Sequence, residues 1–290
     1  MAKKDDESLL AQLAKVEPWS KYRDKALRLR SEFGSTTRYK TEWGGFNQYI
    51  GGGFGSSEHG ELVVVMGDTG VGKSTFVANL AVHMLATTKE TIHYITLENT
   101  PEEMYNIMLN VMGRENLGEF EGRFTSPSRK LIFDGPAWSA EHLIRHMEYV
   151  AGAYNRKLFI LDHLNFMFEN EEQAANELVR TRVVMRRLSR FCMNYDATVF
   201  AISHINKKPE TKGRSGQYLT LDRIYGSQAI AGAATKVLAL NPVRGNGRLI
   251  DVQMLKTRYT PNRGDSIAQF EVEGYEWHFQ GTSNLDGQDT

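Results

Sequence analysis

An apolar run, ELVVVM ending at Met66, breaks directly into Gly67-Asp68-Thr69-Gly70-Val71-Gly72-Lys73-Ser74, and a helical stretch from Lys73 to about Thr87 follows. The glycines permit tight turns and leave backbone N–H groups bare, while the helix behind them turns its positive end to the same point. With a buried-type strand before it and a helix after it, GxxxxGKS has the spacing of a loop that cradles the phosphates of a nucleoside triphosphate. The expected binding residues are therefore Gly67, Asp68, Thr69, Gly70, Val71, Gly72, Lys73, Ser74 and Thr75. Lys73 is expected to reach the β and γ phosphates, and the Ser74 hydroxyl to ligate magnesium. The implied cofactors are ATP, or another NTP or dNTP, and Mg²⁺.

Such a loop requires a second group to orient the metal. Lys157–Leu161 reads as a buried strand and ends in Asp162, which is placed to hold magnesium through water. Hydrolysis also requires a carboxylate near the attacking water. Glu98 directly follows the strand HYITL, so it is expected on the same sheet edge as the loop. Glu102 and Glu103 are less suited, because they fall in the first turn of the next helix and favour its dipole. His204 ends the strand TVFAIS, where it can meet the γ-phosphate or simply pack. His142 and His146 have the i, i+4 spacing of a metal pair but lack a third ligand, which favours ordinary exposed histidines. Cys192 is the only cysteine, and reads as core packing.

Strands alternating with helices from Glu61 to Ser203 predict an α/β fold, a mostly parallel sheet flanked by helices on both sides. A helix is expected over 171–194, with Val184, Leu188, Phe191 and Tyr195 as its core face. After residue 234 short strands separated by Pro and Gly turns predict antiparallel strands added to the same sheet. The domain plan is an N-terminal extension over 1–40 with a short helix at 20–33 that docks on its own domain or links to a neighbouring subunit, one motor domain over 41–275, and a flexible tail over 276–290. The tail's last ten residues contain a single large apolar side chain, too little buried surface to offset ordering. Thirty-five basic and 35 acidic residues argue against a protein that coats nucleic acid with its whole surface, though not against a local basic channel. One cysteine excludes an intrachain disulfide, and no run of 18 apolar residues exists, so a cytoplasmic location away from membranes is expected.

Taken together, these segments resemble the motor domain of RecA-type ring helicases, the group of bacterial DnaB, the phage primase-helicases and mitochondrial Twinkle. The resemblance covers about residues 40–275 and implies a RecA-like P-loop NTPase fold. ITLENT with Glu98 looks like the family's catalytic glutamate segment, and FILDH with Asp162 and His163 like its strand-end acid. AISHINK is similar to the phage and mitochondrial branch, in which a histidine senses the γ-phosphate, hence His204. Leu221–Leu240 looks like the arginine-glycine-serine stretch, although two residues separate Arg223 from Gly226. Leu255–Tyr259 is similar to the family's lysine-x-arginine strand; by that resemblance Arg258 is an arginine finger for a neighbouring subunit and Lys256 its companion. Two cations spaced i, i+2 on a strand share a face, which suits a joint phosphate contact.

The resemblance further implies that Lys207, Lys208, Lys212 and Arg214 line a pore and hold single-stranded DNA, with Arg244 and Arg248 in another pore or interface loop. It implies a homo-oligomer, a hexameric ring that unwinds duplex DNA during replication, with a separate primase, polymerase or loader as partner. The rival reading is a RecA- or KaiC-like ATPase in recombination or regulation, without unwinding; LENTPEE is similar to the acidic stretch of the KaiC-like group.

Overall fold

The structure is a computed structural model that describes residues 37–56, 60–112, 123–125, 139–169, 177–204, 218–221, 227–258 and 266–284. A small antiparallel ribbon of β1 (Thr37–Tyr39) and β2 (Phe54–Ser56) brackets helix α1 (Gly44–Tyr49). Next come β3 (Glu61–Gly67), α2 (Lys73–Thr87), β4 (Ile92–Thr96), α3 (Pro101–Met112) and β5 (Phe124–Thr125). Then follow α4 (Ala140–Tyr154), β6 (Leu158–Asp162), α5 (Leu164–Glu169), α6 (Glu177–Tyr195) and β7 (Thr198–His204). The chain continues through α7 (Ser227–Ala233), β8 (Lys236–Pro242), β9 (Leu249–Thr257), β10 (Ser266–Glu273) and β11 (Glu276–Asn284).

Among the described residues nine strands form one sheet in the order β11-β10-β9-β8-β3-β7-β6-β4-β5. The six from β8 to β5 pair in parallel, and β9, β10 and β11 extend the sheet by antiparallel hairpins. The mostly parallel sheet with antiparallel strands at its C-terminal part is thus the architecture that the strand pattern predicts. Strand periodicity explains why ELVVVM is apolar at nearly every position. Val63 and Val65 face a cluster with Phe76, Leu80 and Met108, while Leu62, Val64 and Met66 face another with Met147, Leu188 and Phe191. Helices α1, α2 and α3 supply the first cluster, and α4, α5, α6 and α7 the second. Val184, Leu188 and Phe191 are buried as their helical spacing predicts, with Tyr195 packed against the same cluster.

The edge of the sheet away from the phosphate loop is fastened by a buried ion pair. Lys236 Nζ lies 2.5 Å from Glu61 Oε1, and the other carboxylate oxygen accepts from Gly55 N at 2.7 Å. Lys236 also donates to Gly53 O at 3.3 Å, so β2, β3 and β8 meet at one polar node inside an apolar shell. Cys192 is buried and free, its thiol pushed up by burial, in keeping with core packing.

Two expectations are corrected. Residues 276–284 are not a flexible tail: they form β11, which pairs with all of β10. Alternation explains this. Trp277 and Phe279 are two apart and both turn to the first core cluster, where Trp277 lies 4.8 Å from Phe76 by ring centroid. Two aromatic side chains on one face bury enough area to order a strand whose end is otherwise polar. His146 is also not an ordinary exposed residue. It is half-buried, and its Nε2 lies 3.0 Å from Nε2 of the buried His93 on β4. His142 is exposed as expected and contacts Ser139, the N-cap of α4. The expected helix at 20–33 and residues 171–176 of the expected long helix lie outside the described residues. No described helix is long and apolar enough to cross a membrane.

Trp277→Ala is expected to lower stability by about 3–5 kcal/mol, as core Trp truncation does, read from urea denaturation midpoints. A change within about 0.5 kcal/mol, the range of surface substitutions, is the result that contradicts it. Burial, then the neighbouring His146, lowers the pKa of His93 to about 4. The unfolded chain therefore binds a proton that the folded chain refuses between about pH 6.5 and 4. Stability contributed by neutral His93 is complete above that window and lost as pH falls through it. His93→Gln should flatten the fall in denaturation midpoint between pH 7 and pH 5.

Candidate nucleotide-binding and hydrolysis site

Parallel register carries the candidate residues to one edge. Gly67 at the end of β3 lies opposite His204 at the end of β7, and Thr96 at the end of β4 lies opposite Asp162 at the end of β6. The loop from Gly67 to Gly72 turns back over this edge into α2. Gly72 has a φ of 88°, a left-handed conformation that side chains resist, and a Cβ there would meet Trp277 at 3.2 Å. Gly67 is constrained differently: a Cβ would meet the Val71 side chain at 2.6 Å. Asp68, Thr69 and Gly70 are exposed, and Ser74 and Thr75 half-buried. Lys73 is buried and folds back to donate to Asp68 O at 2.9 Å. Burial lowers its pKa, opposed by the charges of Asp162, Glu98 and Asp68.

Asp162 is 1% exposed, and burial raises its pKa against hydrogen bonds from Ser74 and Tyr94. Tyr94 Oη donates to Oδ2 at 3.1 Å, whereas Oδ1 is buried with no hydrogen-bond partner in the structure. A hydroxyl beside a carboxylate with one unsatisfied oxygen is a hard oxygen donor set, so these residues fit magnesium. Ser74 and Asp162 would hold it, and bound there it supplies positive charge beside the phosphates.

Glu98 sits just beyond β4, half of its side chain exposed, with Oε2 2.9 Å from His163 Nδ1 and 3.5 Å from His204 Nε2. The pKa of His204 is lowered by burial first and then by Lys73 and His163. Its backbone N–H donates to Asn165 Oδ1 at 3.1 Å, which fixes the strand end. Glu103 closes a reciprocal capping box with Thr100, at 2.7 and 3.1 Å, so its carboxylate serves α3. Glu102 is exposed in the same turn. Tyr94 and Asn165 join the site without having been singled out from sequence, and His163, named there only beside Asp162, turns to Glu98. Tyr94 is two residues before Thr96 on a strand, and only pairing with β6 reveals its partner.

Lys256 and Arg258 are at the other end of the sheet. Arg258 N donates to Thr235 O, and Thr235 N to Leu62 O, which sets Arg258 level with the start of β3. Gly67 lies five strand residues further on, about 16 Å at roughly 3.3 Å per residue. Both cations face the C-terminal end of α7. Lys256 donates to Ala231 O and Ala234 O, and Arg258 to Gly232 O at 3.0 Å, a favourable setting for positive charge. Burial and Arg258 push the Lys256 pKa down to about 8. Arg244 and Arg248 are exposed in the turn between β8 and β9, on the edge of the phosphate loop. Lys207, Lys208, Lys212 and Arg214, with Arg223, Gly226 and Tyr259, lie outside the described residues.

Residues 53–210 match the AAA domain family. A DNA helicase/primase of Enterobacteria phage T3 is 24% identical over 227 residues, or 71% of this chain and 40% of the phage protein. The chain therefore spans less than half of that relative's length. Among solved structures, a KaiC-like protein from the hyperthermophilic archaeon Pyrococcus horikoshii OT3 superposes with a TM-score of 0.59. That match covers 83% of this chain and 99% of the archaeal one at 20% identity, a likeness of fold.

Tyr94→Phe removes one hydrogen bond to Asp162 and leaves the ring in place. The magnesium concentration for half-maximal nucleotide hydrolysis should rise roughly threefold to tenfold, the effect of about 1 kcal/mol. An unchanged magnesium dependence is the contrary result.

Proposed function

The chain belongs to the AAA domain family, and from that premise we propose that it is an ATP-driven ring motor that translocates on single-stranded DNA and unwinds duplex. The observation that carries this reading is the distance between the phosphate loop and Arg258, which follows β9, about 16 Å along the strand direction. A chain with half of a hydrolytic site at each edge completes a site only against a neighbour. A closed ring repeats that contact without leaving ends.

In this reading Lys73 and the backbone amides of the loop grip the triphosphate of one subunit. Glu98 Oε accepts a proton as water attacks the γ-phosphorus, the bond to the β–γ bridging oxygen breaks, and that oxygen leaves with the diphosphate. Arg258 of the next subunit offers two parallel N–H donors to the charge that develops. His204 contacts the γ-phosphate, and its loss shifts the segment that follows β7. Lys207, Lys208, Lys212 and Arg214 in that segment hold the DNA backbone, with Arg244 beside them. Backbone contacts are strong at low salt and blind to sequence, as a translocating protein requires. The similarity to a phage helicase/primase supports this reading, and a separate primase, polymerase or loader fits as partner. The likeness to a KaiC-like fold favours the second reading, an ATPase of the same architecture without strand separation.

Complementation tests the shared site. Lys73→Ala and Arg258→Ala should each hydrolyse ATP at least about a thousandfold more slowly than the parent chain. Mixed in equal amounts, they should recover about one quarter of parental activity, since random assembly pairs an intact loop with an intact arginine at that frequency. No recovery on mixing sinks site sharing. Unwinding is tested on a forked duplex: ATP hydrolysis stimulated by single strands together with strand displacement supports the helicase, and hydrolysis without displacement supports the second reading. Replacing Lys207, Lys208, Lys212 and Arg214 by Ala should lower the salt dependence of single-strand binding by about three, close to 0.7 per lost contact.

A further inference from the structure

The Glu98, His163 and His204 side chains converge beside the phosphate loop in a way that hydrolysis does not require. Each offers one donor atom, and the three donors lie within 4.8 Å of one another. Glu98 Oε2 is 2.9 Å from His163 Nδ1 and 3.5 Å from His204 Nε2. In a tetrahedral site with bonds of about 2.1 Å, donors stand roughly 3.4 Å apart, so both separations suit a shared ion. The two imidazole rings meet edge to face, with centroids 4.5 Å apart and planes at 85°. His163 Nδ1 is buried and, although close to the carboxylate, forms no hydrogen bond of good geometry. A buried ring nitrogen that faces an oxygen without donating to it has a lone pair to offer when the proton is on the other nitrogen. Glu98 and His204 are partly exposed, so both can be reached from solvent.

We propose that Glu98, His163 and His204 form a binding site for one divalent cation of the zinc class. Two imidazoles and a carboxylate suit zinc and cobalt, whereas magnesium prefers an all-oxygen shell. The oxygen set of Ser74 and Asp162 and the mixed set of Glu98, His163 and His204 thus sort two cations by chemistry within one cleft. Three protein ligands leave a fourth position open to water. A zinc ion there occupies the carboxylate that receives the proton of the attacking water, so it stops hydrolysis while leaving nucleotide binding to the loop. The binding site itself stands apart from the proposed function. Its inhibitory consequence rests on that function, in which Glu98 is the base.

The test uses the metal-free full chain. Equilibrium dialysis against zinc should give one bound equivalent, and cobalt(II) should give the intense visible absorption of a four-coordinate site. His163→Ala and Glu98→Gln should each weaken binding at least about tenfold and remove the cobalt band. His146→Ala and Lys73→Ala should keep both, which excludes the His93–His146 pair and the nucleotide as the source. Circular dichroism melting establishes that each variant is folded. Zinc bound equally by His163→Ala, or lost with His146→Ala, overturns the site. In saturating magnesium and ATP, zinc should inhibit the parent chain and a zinc-selective chelator should restore it, while any residual hydrolysis by His163→Ala should be insensitive. Zinc bound at the three residues without inhibition keeps the site and removes Glu98 from the role of base.

Discussion

Parallel hydrogen bonding between β3 and β7, and between β6 and β4, is the constraint from which the site follows. A parallel ladder gives neighbouring strands one direction, so each C-terminal end leaves at the same edge. Gly67 then stands opposite His204, and Thr96 opposite Asp162, without side chains having to arrange it. The cost of such a sheet is that both faces must be covered. The two apolar clusters, one under α1 to α3 and one under α4 to α7, meet that demand and explain why the central strands lack a polar face. Side chains placed on those strand ends are consequently backed by the two buried clusters.

Buried carboxylates on the parallel strands differ in how they are partnered. At the edge away from the phosphates, Glu61 and Lys236 neutralise one another and also satisfy the backbone of the Gly-rich turn through Gly53 and Gly55. Among buried groups at the site edge, Asp162 keeps one oxygen without a hydrogen bond. Buried polar atoms without partners are uncommon in folded proteins, and in this Asp162 differs from Glu61, whose two oxygens are both engaged.

Much of the architecture was legible because local and global signals agreed. ELVVVM, GxxxxGKS and the helix after it fix strand, turn and helix in 27 consecutive residues, 61–87. FILD and TVFAIS are apolar throughout, as strands buried on two faces must be. What was hidden depends on partners distant in sequence. Tyr94 meets Asp162, 68 residues away, and Lys236 meets Glu61 across 175. His93 and His146 pair across 53 residues, which spacing along one helix cannot reveal. β11 is hidden for another reason: its end, Thr282–Asn284, is polar and exposed, and that composition masks the alternation of Trp277 and Phe279. Gly274-Tyr275 between Glu273 and Glu276 was the available signal of a tight hairpin.

The contact of Trp277 with Gly72 joins segments about two hundred residues apart, and it has a consequence for how the chain is made. A ribosome delivers the β10–β11 hairpin only after the phosphate loop. Asn79 of α2 completes its hydrogen bonds with Tyr275 O and Trp277 N, so the helix that backs the loop also waits for that hairpin. Nucleotide affinity is therefore a property that the nascent chain acquires only once the distal hairpin has emerged and folded against the loop.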